Sequence, residues 1–470
     1  MKDENRTGGS TAAVRSTKKM RMDFTEGNVT KQLLIFSAPL FLSNLLQIVY
    51  NMVDMVIVGQ VMGKVGLSAV SVGGDVSNFL TFLAMGFSNA GQVMIAQYIG
   101  AGQKEKVSRF ICTMSSFLMV CAVVLSSVCL VLRQPILHLM HTPQESFVET
   151  LNYATVCMAG MVFIYGYNIV GAVLRGMGDS KHPFIFISIA ALTNVVLDIA
   201  FVMGLDMGAM GAALATVISQ ALSFILCVIF LSRNQESLGL EIHSGDFVRP
   251  DLGMLADLVK LGVPMAIKNA SVQFSKLFVN SWINSYGVAV SAMAGVANKI
   301  NSISNLFSNS INAAGSTMVG QNIGAEKYKR VPRIMAVEFA ITLGIAACMS
   351  AAVMVFPDQI FGIFTSEADV LKLAMEYQPI AVLIFFGSAC RAPMNSLING
   401  SGNYKINFAT AILDGLVLRI GLAVLFGLVL NFRYVGFWLG DALAGFTPFW
   451  LGAIYYFSGQ WKTNKYVIKK

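Results

Sequence analysis

Charge is what this sequence has least of. Asp, Glu, Lys and Arg make up 12% of the 470 residues, against roughly a quarter in soluble domains, while 55% are hydrophobic. With a mean hydropathy of +0.66, that scarcity excludes an ordinary soluble domain. Histidine is almost absent too. The four copies, His138, His141, His182 and His243, all fall in expected loops. No His/Glu metal set and no DDxxD-type aspartate cluster occurs, which argues against a membrane-embedded enzyme such as a prenyl transferase. The seven cysteines (Cys112, Cys121, Cys129, Cys157, Cys227, Cys348 and Cys390) show no CxxC spacing. They lie in or beside apolar segments and read as small buried hydrophobes rather than disulfides or metal ligands.

What the chain has instead is long apolar runs. Twelve are placed near 33–59, 66–94, 110–132, 151–174, 184–205, 208–231, 255–284, 288–318, 334–356, 377–398, 406–430 and 435–458. Most reach the ~20 residues a helix needs to cross a ~30 Å hydrocarbon core. The second is interrupted by Asp75, Ser77 and Asn78.

The twelve runs form two sets of six that repeat at an offset of 224 residues. Gln97-Tyr98-Ile99-Gly100-Ala101, with its tail Val107-Ser108-Arg109, returns as Gln321-Asn322-Ile323-Gly324-Ala325 with Val331-Pro332-Arg333. In the same register Gly176-Met177-Gly178-Asp179-Ser180-Lys181 and Phe184 return as Gly400-Ser401-Gly402-Asn403-Tyr404-Lys405 and Phe408. An even number of helices per half makes these parallel repeats, related by an axis along the membrane normal. The predicted fold is therefore an all-α polytopic membrane protein, with twelve transmembrane helices in two six-helix lobes around a central cleft. Such halves rock about a central site in transporters.

The net charge of +8 is topological. If both termini share a side, 24 of the 33 Lys/Arg fall in the tails and the loops of that side, and only Lys64, Arg133, Lys372 and Arg433 fall opposite. That bias predicts cytoplasmic termini in a plasma membrane, and makes nucleic acid a poor candidate partner. The expected organisation is a polar N-terminal tail over 1–30, disordered by composition, and a first lobe over 31–232. A charged cytoplasmic linker follows over 233–254, then a second lobe over 255–460 and a basic tail over 461–470. The first apolar run is too long for a signal-peptide core and lacks a cleavage pattern, so it is expected to be retained. Gly100, Gly176, Gly178, Gly324, Gly400 and Gly402 read as tight turns at helix ends, since no P-loop lysine spacing and no preceding strand accompany them.

Ionisable groups inside membrane spans are costly, and point to function. Asp54 sits in the first run, with Gln47 and Tyr50 seven and four residues earlier on the same helical face. Pro39 frees a backbone carbonyl in that helix and permits a hinge. In the fifth run Asn194 and Asp198 share a face, and the sixth adds the hydroxyl of Thr216. Two carboxylates, an amide and a hydroxyl in one low-dielectric cavity form an oxygen cage for Na⁺; they could equally be a proton site. Tyr50, Asn168, Phe79, Met85 and Phe274 are further candidates for the cleft.

At this point the chain resembles the multidrug and toxic compound extrusion (MATE) family, in the bacterial branch with a first-lobe aspartate and an Asn-x-x-x-Asp pair. The resemblance runs over residues 23–460. It is carried by Pro39 followed by Tyr50-Asn51-Met52-Val53-Asp54-Met55-Val56-Ile57-Val58-Gly59, by Gln97-Tyr98-Ile99-Gly100-Ala101-Gly102 and its repeat, and by Leu174-Arg175-Gly176-Met177-Gly178-Asp179. It implies that Asp54, Asn194, Asp198 and Thr216 form a cation-coupling site, with Gln47 and Tyr50 lining the cavity. It implies further that a monomer exports amphipathic organic cations across the bilayer in exchange for H⁺ or Na⁺, with no cofactor.

The second half departs from relatives that carry acidic residues in helices seven and ten. Those helices offer Lys276 and Arg391 here, so a cation site there is not expected. Asp414 and Arg419 in helix eleven read as an ion pair, and Asp441 in helix twelve as a residue that could face the cleft. Lys276 and Lys299 keep an amphoteric or anionic substrate open, and with it an alternative function as a lipid or lipid-linked oligosaccharide flippase.

Overall fold

The computed structural model describes residues 21–462 except His141. Most of the expected N-terminal tail and residues 463–470 of the basic tail lie outside the described residues.

All twelve expected spans are helical. The first two share the helical stretch Val29–Gly100, whose one non-helical residue is Gly63 (φ 59°, ψ −144°), where the chain doubles back. Span three is Lys104–Val131, and span four is Phe147–Ala159 plus Met161–Gly176, bent by 46° at its break. Spans five and six run over Lys181–Asp198, extended by a π-helical turn Ile199–Gly204, and Gly208–Arg233. Spans seven to ten are Leu252–Asn284, Val288–Gly324, Val331–Val355 and Ala368–Gly400. Span eleven comprises Tyr404–Ile412, a π-helical turn Leu413–Leu418, Arg419–Val424 and a second π-helical turn Leu425–Val429. Span twelve is Arg433–Ala444 with Thr447–Phe457. Spans two and eight run six residues further toward the terminus side than their apolar runs, to Gly100 and Gly324, where their ends meet between the lobes.

The loop repeats are repeats of mechanism. Gly178 (φ 90°) and Gly402 (φ 73°) turn the chain in the left-handed region that glycine favours. The next residue in each copy caps a helix. Asp179 Oδ1 accepts from the backbone N–H of Lys181 and His182, and Asn403 Oδ1 from those of Lys405 and Ile406. For the other four glycines the turn expectation is corrected. Gly100, Gly176, Gly324 and Gly400 are helical and sit where backbones touch. A Cβ on Gly100 would stand 2.0 Å from the carbonyl oxygen of Gln321, and one on Gly324 would stand 2.1 Å from that of Gln97. Within each lobe a Cβ on Gly176 would stand 2.7 Å from the Gln92 carbonyl oxygen, and one on Gly400 would stand 2.8 Å from that of Ser316. Small residues at helix crossings let membrane helices approach closely.

The lobes therefore meet across a pseudo-twofold axis. Gln92 Nε2 donates to Thr317 Oγ1 (2.8 Å) and Gln97 Nε2 to the Gly400 carbonyl (2.8 Å). Phe41 stacks on Phe307, and Asn44 Nδ2 donates to Ser310 Oγ. Residues just before span one close the same end, where the Phe24 backbone N–H donates to Gln321 Oε1 and its carbonyl accepts from Asn322 Nδ2. The other end of the chain returns there too, with Tyr328 and Trp461 in edge contact. Among the described residues, interlobe hydrogen bonds, ion pairs and ring contacts lie in the half of the molecule that carries Phe24 and Trp461. The cleft opens on the opposite face.

Candidate functional site

Span one brings Asp54 into the first lobe on the face opposite its exposed neighbours Met52 and Val56. Helical spacing puts Tyr50 one turn away on that buried face, and the carboxylate is 5% exposed. Spans five and six deliver the remaining groups. Asn194 and Asp198 are buried, and Asn194 Nδ2 donates to Thr216 Oγ1 at 3.4 Å. Asp54 and Asp198 are near enough to repel each other, and both act on Tyr153 of span four. Apolar side chains close around them, including Ile57, Val58, Val70, Tyr153 and Val202.

The donors in this enclosure do not match its acceptors. Asp54 Oδ1, Asn194 Oδ1 and both carboxylate oxygens of Asp198 are buried with no hydrogen-bond partner. Leaving such oxygens bare costs about 1–3 kcal/mol each, more when charged. Such a set of acceptors can be satisfied by a group that supplies positive charge or a donor, such as a proton or a small monovalent cation. Among the described residues no three His, Cys, Asp or Glu side chains converge, so the donor set does not resemble a transition-metal centre.

The other residues singled out in the sequence fall as follows. Tyr50 is buried, its hydroxyl held by Gln220 Nε2 (3.4 Å) and by Gln47, which lies on the exposed side. Asn168 donates to the Ile164 carbonyl of its own helix (2.8 Å). Pro39 lies in continuous helix, and its carbonyl accepts from Ser43 Oγ (2.8 Å). Phe79 and Phe274 are exposed at 57% and 59%.

In the second lobe Arg419 is bonded to both carboxylates. Its Nη2 donates to Asp414 Oδ1 at 2.8 Å and its Nη1 to Asp441 Oδ1. Asp441 also lines a cavity between spans seven, eight, ten and twelve, together with Lys276. Lys299 is exposed and not part of that lining.

Sequence reasoning missed Glu338. This span-nine carboxylate is fully buried against Gly315, with both oxygens unpartnered. A carboxylate inside an apolar run was the signal that found Asp54, and it applied here too. It also missed Gln92 as a link. Its Oε1 accepts from Arg175 Nε (2.9 Å), while its amide nitrogen holds span eight.

The MatE family model matches the chain twice, over residues 39–200 and 264–425. The chain belongs to the MatE family. Its members are membrane transporters, not enzymes, and the two matched segments, starting 225 residues apart, fall one in each half of the chain. This MatE chain is similar to the probable multidrug resistance protein YpnP of Bacillus subtilis, 26% identical over 95% of this chain and 99% of that protein. It is also similar to the multidrug export protein MepA of Staphylococcus aureus, 23% identical over 84% of this chain and 87% of MepA. In fold it matches a crystal structure of a MATE protein in complex with MaD3S. There the TM-score is 0.85 at 23% identity, covering 94% of this chain and 99% of the other.

Proposed function

We propose that this MatE protein is a multidrug efflux antiporter of the plasma membrane. It exports amphipathic, mostly cationic organic compounds in exchange for H⁺ or Na⁺, acting as a monomer with cytoplasmic termini. The relatives named for multidrug export and resistance support the efflux. The observation that carries the coupling is the set of unpartnered oxygens on Asp54, Asn194 and Asp198, enclosed by apolar walls beside Thr216.

The mechanism follows from the cost of those charges. Two carboxylates facing each other in low dielectric repel, and an entering cation or proton relieves both repulsion and desolvation. In the outward-open conformer the ion arrives from the outer face. Its uptake removes the repulsion that holds span one away from spans five and six, letting span one bend near Pro39 and weakening the cleft's hold on substrate. Once freed of substrate, the loaded carrier turns inward and the ion dissociates. Coupling requires only that ion and substrate occupancies oppose one another in free energy.

The test is efflux of ethidium from proteoliposomes under separately imposed H⁺ and Na⁺ gradients. One gradient drives efflux in the wild type, and Asp54→Asn lowers the driven rate by about tenfold or more, as expected when one of a few charge-assisted contacts is lost. Driven efflux that survives Asp54→Asn removes the coupling site from this position.

A further inference from the structure

The second lobe poses the opposite electrostatic problem. Lys268, Lys276, Arg391 and Arg419 all lie within electrostatic range of Asp414, and the last three of Asp441 as well, four cations against two carboxylates. Both carboxylates are taken by one guanidinium, Arg419. Lys268 Nζ is left donating to the neutral amide oxygen of Asn395 (2.6 Å), and Arg391 Nη2 to that of Asn305 (2.8 Å). Among the described residues no carboxylate lies within ion-pair distance of Lys268, Lys276 or Arg391. Uncompensated charge within a membrane protein faces the interior or an aqueous cavity and marks a substrate or ion path.

Lys276 does face a cavity, small in this conformer, in the half of the lobe toward the open side. One part of its wall is polar, with Asn280, Asn298 and Asn301 beside the lysine and Asp441 already bonded to Arg419, and another is apolar, with Trp438 and Ile384. Asn301 donates to the Tyr377 hydroxyl (2.8 Å), which leaves its Oδ1 buried and free to accept from a ligand N–H or O–H. An ammonium, an amide cluster and an aromatic wall around one cavity suit an amphiphile with an anionic head.

We infer that the second-lobe cavity is a binding subsite for amphipathic organic anions and zwitterions, with the Lys276 ammonium receiving the anionic group and Trp438 packing on the apolar body. Arg391, within electrostatic range of Lys276, adds to the local positive potential. The inference rests on the transport reading only in taking the occupant for cargo. It assigns the acidic end of a mixed-charge substrate to one lobe and leaves the coupling ion to the other.

Rhodamine 110 and rhodamine 123 share one ring system and differ in a free carboxylate against its methyl ester, so they isolate the anionic group. Anisotropy titrations of the full-length protein in phosphatidylcholine-doped micelles should give the acid the tighter binding by about tenfold, the size of one charge-assisted contact. In Lys276→Gln that ratio should fall to about one, and in Lys276→Arg it should return. The ester titration serves as the folding control. Equal affinities in the wild type, or a Lys276→Gln effect of the same size on both dyes, would overturn the inference. Replacing phosphatidylcholine by phosphatidylglycerol distinguishes two sources of the anion. Competition with the acid dye that vanishes in Lys276→Gln assigns the site to lipid headgroups, and no competition assigns it to soluble acids. No gradient is present, so failure of ion-driven ethidium efflux would leave this outcome unaffected.

Discussion

At the residue scale the two lobes manage buried charge in different ways. Asp54 and Asp198 keep bare oxygens in an apolar shell, which on the proposed reading a proton or a small cation satisfies. Asp414 and Asp441 are both bonded by Arg419, whose guanidinium forks between them. Removing Arg419 strands two carboxylates at once. Arg419→Ala should cost about 3–5 kcal/mol, the usual penalty for breaking a buried pair, read as a lower thermal midpoint in detergent. Adding Asp414→Asn should recover part of that loss, since the partner no longer carries an unpaired charge. An Arg419→Ala protein as stable as wild type would mean the bridge contributes nothing net.

At the element scale the decisive contacts are backbone against backbone. Gly100 lies on the Gln321 carbonyl, and Gly324 on the Gln97 carbonyl, so the ends of spans two and eight lock symmetrically. Neither contact can admit a methyl group without parting the lobes. Gly100→Ala or Gly324→Ala should destabilise this conformer by about 1–3 kcal/mol, as overpacking does. Gly295→Ala in the same span eight meets nothing within 4 Å and is the control. By helix propensity it should be neutral or stabilising by up to ~1 kcal/mol. Thermal midpoints of the three variants check this, and equal shifts would show that the crossing is looser than drawn. The π-helical turns ending spans five and eleven, Ile199–Gly204 and Leu425–Val429, occupy matching positions in the two lobes. The turns after them match as well, in the left-handed residues Asp206 and Gly208 against Asn431 and Arg433.

At the scale of the whole molecule, the contacts that close one end leave a cleft at the other, and the charge bias orients it. With cytoplasmic termini the cleft faces outward. In a cysteine-free background, Lys64→Cys and Lys372→Cys should react with a membrane-impermeant maleimide added to intact cells, while Lys104→Cys and Lys327→Cys should react only after permeabilisation. The reverse labelling would invert the topology and make this conformer inward-open. Both sets are loop or helix-end positions, so the comparison does not depend on the central site.

Much of this was legible in the residues because bilayer physics leaves few choices. A backbone in hydrocarbon must satisfy its own hydrogen bonds, so long apolar runs became helices, and two copies of one loop pattern became two lobes. Asp54, Asn194 and Asp198 announced themselves because ionisable and amide groups are rare at such depth. Tertiary structure alone decided which charges met. Arg419 lies five residues from one aspartate and twenty-two from the other, and only the crossing of spans eleven and twelve gives it both. The repeated glycines looked like turns because spacing along the chain records local geometry, whereas Gly100 and Gly324 answer to a backbone more than two hundred residues away. The cationic cavity arises in the same way. Lys276 and Arg391 are conspicuous in the sequence, but their charges add together only because three spans bring their basic groups close while both carboxylates are already engaged by Arg419.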